Sequence, residues 1–212
     1  VFSTDPLPFG RLSRINTALS IEVKHLHLPF LVITDFSSHI DLDRGNLSVQ
    51  PLRFIIAGGN LDGSFKIRQT QKRPVVETSF QLDESNLGRV LDRFGAAEFL
   101  NGTFDVDADV TGTGDSIAQL MAGLNGKSAV VMKDGKMDER LLGLIGGDLT
   151  LGLLDLVNPF KKDRNYTQIH CLVCGLTFDE GLAESSALLL DTDKVTVVGH
   201  GKANLKTETL DI

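Results

Sequence analysis

The chain has 212 residues, 42% of them hydrophobic, and a formal net charge of −7 at pH 7. Its length allows one large β-rich domain or two small ones, and either size buries a workable core. The negative charge argues against a nucleic-acid partner and against docking by a broad basic face on an anionic bilayer, because both need clustered Lys and Arg.

The first 18 residues contain Pro6, Pro8 and Gly10 and show little periodicity, so they are expected to form a lead-in segment. The chain begins at Val1 and ends in a strand-like pattern, and we therefore expect it to be a fragment of a longer protein. It contains no run of about 18 uncharged apolar residues, so no transmembrane helix is expected within it. No signal peptide is visible either.

A series of antiparallel strands is predicted between residues 19 and 83, because apolar and polar residues alternate there. The phase of the alternation changes between Val23 and Leu26, which predicts a strand that bends or ends near His25. Gln50–Pro51 interrupts the alternation again and predicts a bulge or a break at an edge strand, since proline cannot donate to a ladder. Glycine-containing turns are predicted at Asp43–Asn46 and Ala57–Asn60.

The first helix is predicted from Leu87 to Phe94, where apolar residues keep the i, i+3, i+4, i+7 spacing of one stripe. Asp83 and Ser85 are both possible N-caps, and Gly95 is expected to end the helix.

Three further elements are predicted before residue 160. A second helix is expected at Ser116 to Leu124 with Asp115 as its N-cap, and a strand at Ser128 to Met132 that turns at Lys133–Lys136. The Leu-rich stretch from Met137 to Phe160 predicts a kinked helix or two short helices packed on the sheet, because two Asp residues and a Gly-Gly pair interrupt the apolar run.

The stretch from residue 102 to 114 alternates apolar residues with Asp105, Asp107 and Asp109. Three carboxylates suggest a calcium site, but carboxylates two residues apart on a strand stand in a row about 7 Å apart and do not converge. We interpret them as the solvated face of a strand. His25 and His27 share one strand, and no third ligand is placed by the sequence, so no metal and no cofactor is predicted.

Thr167 to Leu205 predicts three strands in direct succession, with Asp179–Gly181 as one turn, and these short connections require antiparallel pairing. The strand from Ile169 to Phe178 is apolar on both faces, with Ile169, Cys171 and Val173 on one face and Leu172, Cys174, Leu176 and Phe178 on the other. Cys171 and Cys174 lie on opposite faces of this strand, where neither a disulfide nor a shared metal is easy. One face can be covered by the Leu-rich helices, while the other must meet a second layer or a ligand. A closed β-sandwich core and a bound acyl chain fit the residues equally well.

Catalytic motifs are missing from the sequence, which has no G-x-S-x-G, P-loop, H-E-x-x-H or G-x-G-x-x-G after a strand. We therefore expect that the protein is not an enzyme.

Several stretches occur in a recognisable order: AGGNLDG from Ala57, LGRVLDRFG from Leu87, LMAGLNGKSAVVMKDGKM from Leu120 and VTVVGHGKANLKTETLDI from Val195. This order resembles the C-terminal periplasmic part of the bacterial AsmA family, from about residue 19 onward. The resemblance implies a mainly β fold with a few helices: an extended, curved antiparallel β-sheet that forms a groove, with short helices packed on one face or end. It implies one domain over residues 19–212, with strands in 19–83, helices and strands in 84–160 and a β-meander in 161–212.

The resemblance also implies a function. AsmA-like proteins are linked to phospholipid transport between membranes and to outer-membrane integrity, in the periplasm of Gram-negative bacteria. The parent protein would be anchored in the inner membrane by an N-terminal helix that is absent here. The expected ligand is a phospholipid or another acyl-chain lipid. An alternative is a structural or scaffold domain that pairs its sheet edges with envelope proteins.

A lipid groove would be lined by the apolar side chains of the predicted strands, and Val197→Asp or Leu176→Asp would then abolish lipid binding. The expected lining residues are Phe104, Val106, Val110, Leu172, Leu176, Phe178, Val195 and Val197.

Overall fold

The computed structural model describes residues 2–28, 31–92, 94–141 and 165–211. The strands are β1 (Thr17–Leu28), β2 (Leu31–Asp43), β3 (Asn46–Ile56), β4 (Gly59–Arg68), β5 (Val75–Asn86), β6 (Leu100–Thr113), β7 (Asn125–Asp138), β8 (Tyr166–Asp179), β9 (Leu182–Thr192), β10 (Thr196–Val198), β11 (Lys202–Asn204) and β12 (Thr209–Asp211). The helices are α1 (Phe9–Leu12), α2 (Leu87–Asp92) and α3 (Ile117–Ala122). The strands form one open antiparallel sheet in chain order, except that β10 and β11 both pair with β9. The expected mainly β fold with a few short helices is confirmed.

Two-residue turns join several neighbouring strands. Both residues of Arg44–Gly45, Ala57–Gly58 and Glu180–Gly181 have positive φ, between 43° and 89°. Turns of this kind match the right-handed twist of the flanking strands. The turns predicted at these three places are confirmed.

A bulge in β2 explains the change of phase near His25. Asp35 has φ 50°, and the pairing of β2 with β3 shifts between Thr34 and Ser37. On the neighbouring strand, Lys24 Nζ lies 3.7 Å from Asp35 Oδ1, and β1 continues through to Leu28. The strand therefore does not end near His25, and its change of phase lies beside the bulge at Asp35 of β2.

The bulge predicted at Gln50–Pro51 is also present, since the pairing of β3 with β4 shifts between Val49 and Leu52. The expectation of an edge strand is wrong, because β3 lies between β2 and β4. The bulge removes the proline from the ladder, so an inner strand accommodates it.

The predicted helix caps are wrong in both cases. Asn86 Oδ1 accepts a hydrogen bond from Arg89 N (2.8 Å) and begins α2, whereas Asp83 and Ser85 lie within β5. Ser116 caps α3 by accepting from Gln119 N (3.3 Å). The Gln119 side chain in turn accepts from the backbone N–H of Asp115 (3.3 Å), which is a reciprocal capping arrangement.

The turn predicted at Lys133–Lys136 is wrong, because β7 continues to Asp138. Asp134 has φ 53° and changes which residues of the strand point to the buried side. Met132 is buried before it, and Gly135 and Met137 are buried after it. The predicted helical stretch from Met137 to Phe160 therefore begins as strand, and most of it, residues 142–160, lies outside the described residues. The last predicted strand is divided into β10 and β11, with Gly199–Gly201 between them.

The lead-in segment crosses the ends of the strands. Its hydrogen bonds to this end of the sheet join Phe2 N to Glu208 Oε1 (2.8 Å), Ala118 N to Ser3 O (3.0 Å), Leu7 N to Asp115 O (2.7 Å) and Arg44 N to Asn16 Oδ1 (2.9 Å). It therefore reaches from the β11–β12 turn, past α3, to the β2–β3 turn.

The tightest packing lies at the opposite ends of the strands. Met132, Met137, Ile169 and Leu190 are between 0% and 9% exposed and form one cluster, which we call the core cluster. The partly buried residues that pack against it are Leu87, Leu100, Phe104, Leu141, Leu172 and Val197.

Candidate functional site

The pairing register gives the sheet one apolar face and one polar face, because paired residues point to the same side. On β6 and β7, Val106 lies opposite Val130, while Asp107 lies opposite Ala129. We call the side that carries Val106 the apolar face and the side that carries Asp107 the polar face.

Three rows of side chains run across β1 to β9 on the apolar face, and together we call them the apolar floor. The first row is Leu19, Ile40, Val49, Phe65, Thr78, Val110, Gly126, Phe178 and Ala183. The second is Ile21, Ser38, Leu52, Gly63, Phe80, Ala108, Ser128, Leu176 and Ser185. The third is Val23, Phe36, Phe54, Leu61, Leu82, Val106, Val130, Cys174 and Leu188.

The apolar floor is long and narrow. At about 4.8 Å per strand, nine strands extend about 38 Å, and rows two residues apart lie about 7 Å from each other. None of the residues in the three rows carries a charge.

Most side chains of the apolar floor are half-buried. Leu19 is 49% exposed and Leu188 37% exposed. The buried residues of the floor are Ser38, Leu82, Ala108 and Ala183. In a two-layer β-protein the inward side chains of a sheet are packed against a second layer about 10 Å away. Among the residues that the structure describes, the floor instead keeps accessible apolar surface across nine strands, and a contiguous surface of this kind is typical of a binding site.

Packed elements border the floor at both ends of the strands. At one end α3 lies on β6 so closely that a Cβ on Gly112 would be 2.9 Å from Leu120 O. Leu42 and Ile67 are buried at this same end, where the lead-in segment crosses. At the other end Leu87 of α2 packs against the core cluster. The floor is thus a trough that runs across the strands between two borders.

Seven of the eight expected lining residues lie on the apolar face. Val106, Val110, Leu176 and Phe178 belong to the apolar floor. Phe104, Leu172 and Val197 instead pack against the core cluster, at the border of the apolar floor. Val195 lies in the connection before β10, and it is 38% exposed.

The sequence reasoning missed the floor residues of β2 to β5, which include four phenylalanines. Phe36 and Phe54 stack with ring centroids 6.3 Å apart, and Phe65 and Phe80 are half-buried on the next two strands. The alternation within each of these strands indicates which of its residues share a face. No single strand shows that the rows continue into its neighbours.

The two cysteines lie on opposite faces, as the sequence predicts. Cys174 lies opposite Val130 on the apolar face, and Cys171 lies opposite Lys133 on the polar face. Both are free thiols. The prediction that Ile169 shares a face with Cys171 is wrong: the pairing of β8 with β9 shifts between these two residues, and Ile169 joins the core cluster.

The polar face carries charge pairs between neighbouring strands. Arg53 contacts Asp62 (2.5 Å), and Lys202 contacts Glu184. The hydrogen bond to the Glu184 carboxylate raises the pKa of Lys202. These groups are solvated, so they contribute little to stability and mainly mark this side of the sheet as the one that faces water.

The aspartates of β6 also lie on the polar face. Asp105 Oδ1 accepts a hydrogen bond from Glu84 N (2.8 Å), and Asp107 and Asp109 are exposed. Within the described ranges, no group of three or more His, Cys, Asp or Glu side chains is placed to hold a metal ion.

The described helices are short, and none has the length and hydrophobicity needed to cross a bilayer.

Comparison with known proteins gives one family and one curated relative. A family model described as "AsmA family" matches residues 1–188. AsmA family protein YhjG of Escherichia coli K12 is 26% identical over 186 residues, which are 88% of this chain and 26% of that protein. The chain thus spans about a quarter of the length of this relative. Comparison with solved structures gave no significant match.

Proposed function

The chain belongs to the AsmA family, and on this basis we propose that it is a non-enzymatic lipid-binding module that holds phospholipid acyl chains on the apolar floor. The observation that carries the proposal is the continuity of the floor: three uncharged, half-buried rows cross nine strands between two packed borders. The resemblance to AsmA-like proteins supports a role in phospholipid transport between membranes and in outer-membrane integrity.

The physical chemistry of the floor suits an acyl chain. Each CH₂ removed from water contributes about 0.8 kcal/mol and needs no polar partner. The hydrocarbon core of a bilayer is about 30 Å thick, so the acyl chains of one leaflet extend about 15 Å. A floor of about 38 Å is long enough for more than one such length in line.

The border elements suggest how a phospholipid would lie. Its acyl chains would run along the rows, across the strands, because the packed elements at both strand ends limit the floor in the other direction. Its headgroup would stay on the open side in water, since charged groups are costly to bury without partners. The proposed setting is the periplasm, with the full-length protein anchored in the inner membrane.

Native mass spectrometry of the purified chain, with organic extraction of bound molecules, tests this function. We expect phospholipid at a defined stoichiometry. A ligand-free mass after purification from a lipid-containing lysate, together with no transfer of a fluorescent phospholipid from vesicles, would contradict it.

The second candidate function is a scaffold that pairs sheet edges with envelope proteins. It is favoured by β1, a strand of twelve residues whose neighbour in the described part of the chain is β2 alone. A ligand-free chain that captures an extended peptide along β1 would support this function over lipid binding.

A further inference from the structure

Three stretches of the chain that are distant in sequence meet at the turn between β2 and β3. A Cβ built on Gly45 of this turn would lie 3.1 Å from Gln69 Cγ and 3.4 Å from Ser13 Cβ. Asn16 Oδ1 also accepts a hydrogen bond from the backbone N–H of Arg44 (2.9 Å). The end of the lead-in segment, the β2–β3 turn and the start of the β4–β5 connection are therefore packed together.

All three stretches carry cationic side chains, and together we call these side chains the basic patch. Each of them lies within four residues of Ser13, Gly45 or Gln69 in the sequence. Arg14 N donates a hydrogen bond to Arg11 O (3.3 Å), and residues at this helical spacing share one face. The basic patch consists of Arg11, Arg14, Arg44, Arg68, Lys72 and Arg73.

The β4–β5 connection turns back on itself and keeps its two cations near the rest of the basic patch. Thr70 Oγ1 donates a hydrogen bond to Arg73 O (2.8 Å). The same oxygen accepts hydrogen bonds from the backbone N–H groups of Lys72 (3.3 Å) and Arg73 (3.2 Å). Lys72 and Arg73 are therefore held beside Gln69, where this connection packs on the β2–β3 turn.

Four of the six cations of the basic patch have no carboxylate partner. Arg44 pairs with Asp43 (3.0 Å), and Arg68 pairs with Glu77. The other four are exposed, and they form no ion pair with any residue that the structure describes. The whole chain has a formal net charge of −7. The excess positive charge of the basic patch is therefore opposite in sign to the molecule that carries it.

An exposed apolar side chain accompanies these charges. Ile15 follows Arg14 directly, and it is 58% exposed. A peripheral membrane contact combines the same two elements, because cations are attracted to anionic headgroups and an apolar side chain enters the interface between them. We propose that the basic patch docks this end of the sheet on the surface of an anionic bilayer, with Ile15 inserted among the lipids.

The fold creates this surface from cations that the sequence keeps apart. The lead-in segment, the β2–β3 turn and the β4–β5 connection each contribute only a few charges, and the net charge of the chain is negative. The basic patch lies outside the three rows of the apolar floor, at the end of the strands where the lead-in segment crosses. Docking therefore goes beyond the proposed function and does not depend on whether the floor binds lipid.

Vesicle flotation tests the docking of the unmodified chain. The chain should float with vesicles of phosphatidylcholine and phosphatidylglycerol in equal amounts at about 0.1 M salt, and it should not float with vesicles of phosphatidylcholine alone. Raising the salt to about 1 M should release it, because the screening length falls from about 10 Å to about 3 Å. A chain that fails to bind the anionic vesicles at low salt overturns the proposal.

Variants without individual charges locate the contact. Arg14→Gln together with Arg73→Gln should weaken vesicle binding about 25-fold, at about fivefold for each cation removed. Lys127→Gln together with Lys133→Gln is the matched control, since it removes two exposed cations from β7 and should leave binding unchanged. Leu176→Asp, in the apolar floor, should also leave vesicle binding unchanged. Failure of lipid uptake by the floor is thus distinguished from failure of docking.

Ile15→Ser distinguishes a bilayer from other polyanions. This substitution should weaken binding to the anionic vesicles at least about fivefold, because a polar side chain gains nothing by entering the interface. Duplex DNA, which has phosphates but no apolar layer, should bind the unmodified chain more weakly than the vesicles do. DNA binding as tight as vesicle binding, with no effect of Ile15→Ser, would overturn the membrane assignment and indicate a general polyanion surface. Equal losses in the patch variant and the β7 control would overturn the assignment to the basic patch.

Discussion

Phe36 of β2 and Phe54 of β3 stack across the bulge at Asp35, with ring centroids 6.3 Å apart and an interplanar angle of 21°. The strand register changes at this place, between Thr34 and Ser37. The ring pair therefore links two strands where the hydrogen-bonded ladder is interrupted, and it continues the third row of the apolar floor.

Replacing Phe54 by Ala is expected to lower the free energy of unfolding by about 2 kcal/mol, below the range for fully buried phenylalanines because Phe54 is half-buried. Urea denaturation measures this. A double-mutant cycle with Phe36→Ala should give a coupling of about 1 kcal/mol. Additive effects of the two substitutions would show that the ring contact contributes nothing of its own.

Leu176→Asp is expected to remove bound lipid, because it places a carboxylate in the middle row of the apolar floor. Thr177→Asp, one residue further on the polar face, is the matched control and should keep the lipid. Lipid is quantified after extraction from folded protein, with circular dichroism to check the fold. Equal lipid contents in the two variants would place the ligand elsewhere. Val197→Asp is unsuitable for this comparison, since Val197 packs against the core cluster and its substitution should destabilise the fold itself.

Ser116→Ala is expected to lower the free energy of unfolding by about 1 kcal/mol, because Ser116 Oγ accepts a hydrogen bond from the backbone N–H of Gln119 in the first turn of α3. Asp115→Ala should cost less than half of this, since only the backbone of Asp115 takes part in the cap. Thermal unfolding of the two variants side by side makes the comparison. A larger loss of stability for Asp115→Ala would show that Asp115 is the N-cap, as the sequence predicts.

The lead-in segment should respond to acid. The hydrogen bond from Phe2 N lowers the pKa of Glu208. A lowered folded pKa means that the contribution of this carboxylate is complete above the pKa of an unfolded Glu, about 4.3, and is lost as the pH falls through the folded value. NMR titration of Glu208 and of the Phe2 amide should show both changes together. Glu208→Gln should abolish the response of the Phe2 amide, and a Glu208 pKa at or above about 4.3 would contradict the assignment.

Much of the fold follows from local sequence. Turns such as Arg44–Gly45 need left-handed backbone at two successive positions, and glycine marks them in the sequence. The alternation of apolar residues assigns most strands and their faces correctly. The antiparallel order then follows, because connections of two residues leave no room for a crossover.

The errors occur where a single residue leaves the regular backbone. Asp134 takes a left-handed conformation within β7, so a polar stretch that looks like a turn continues as a strand. Asn86 and Ser116 are the N-caps, although the acidic residues Asp83 and Asp115 fit the sequence pattern of a cap equally well. Tertiary packing determines the backbone conformation and the cap at these positions, and a local sequence pattern carries no information about this packing.

The apolar floor could be predicted one strand at a time but not as a whole. Val106, Leu176 and Phe178 were identifiable from their own strands. The matching positions Phe65 and Phe80 depend on the strand register across the bulge in β3 and across the connection between β4 and β5, and periodicity alone does not fix this register.

The uncharged rows also bear on how a ligand would move. Neighbouring strands of the floor lie about 4.8 Å apart, and the rows that cross them contain no charged side chain. An acyl chain could then advance from strand to strand by small displacements, each new contact forming as an old one is lost. Its motion would be diffusion along a line, with a low barrier at every step and without release into water.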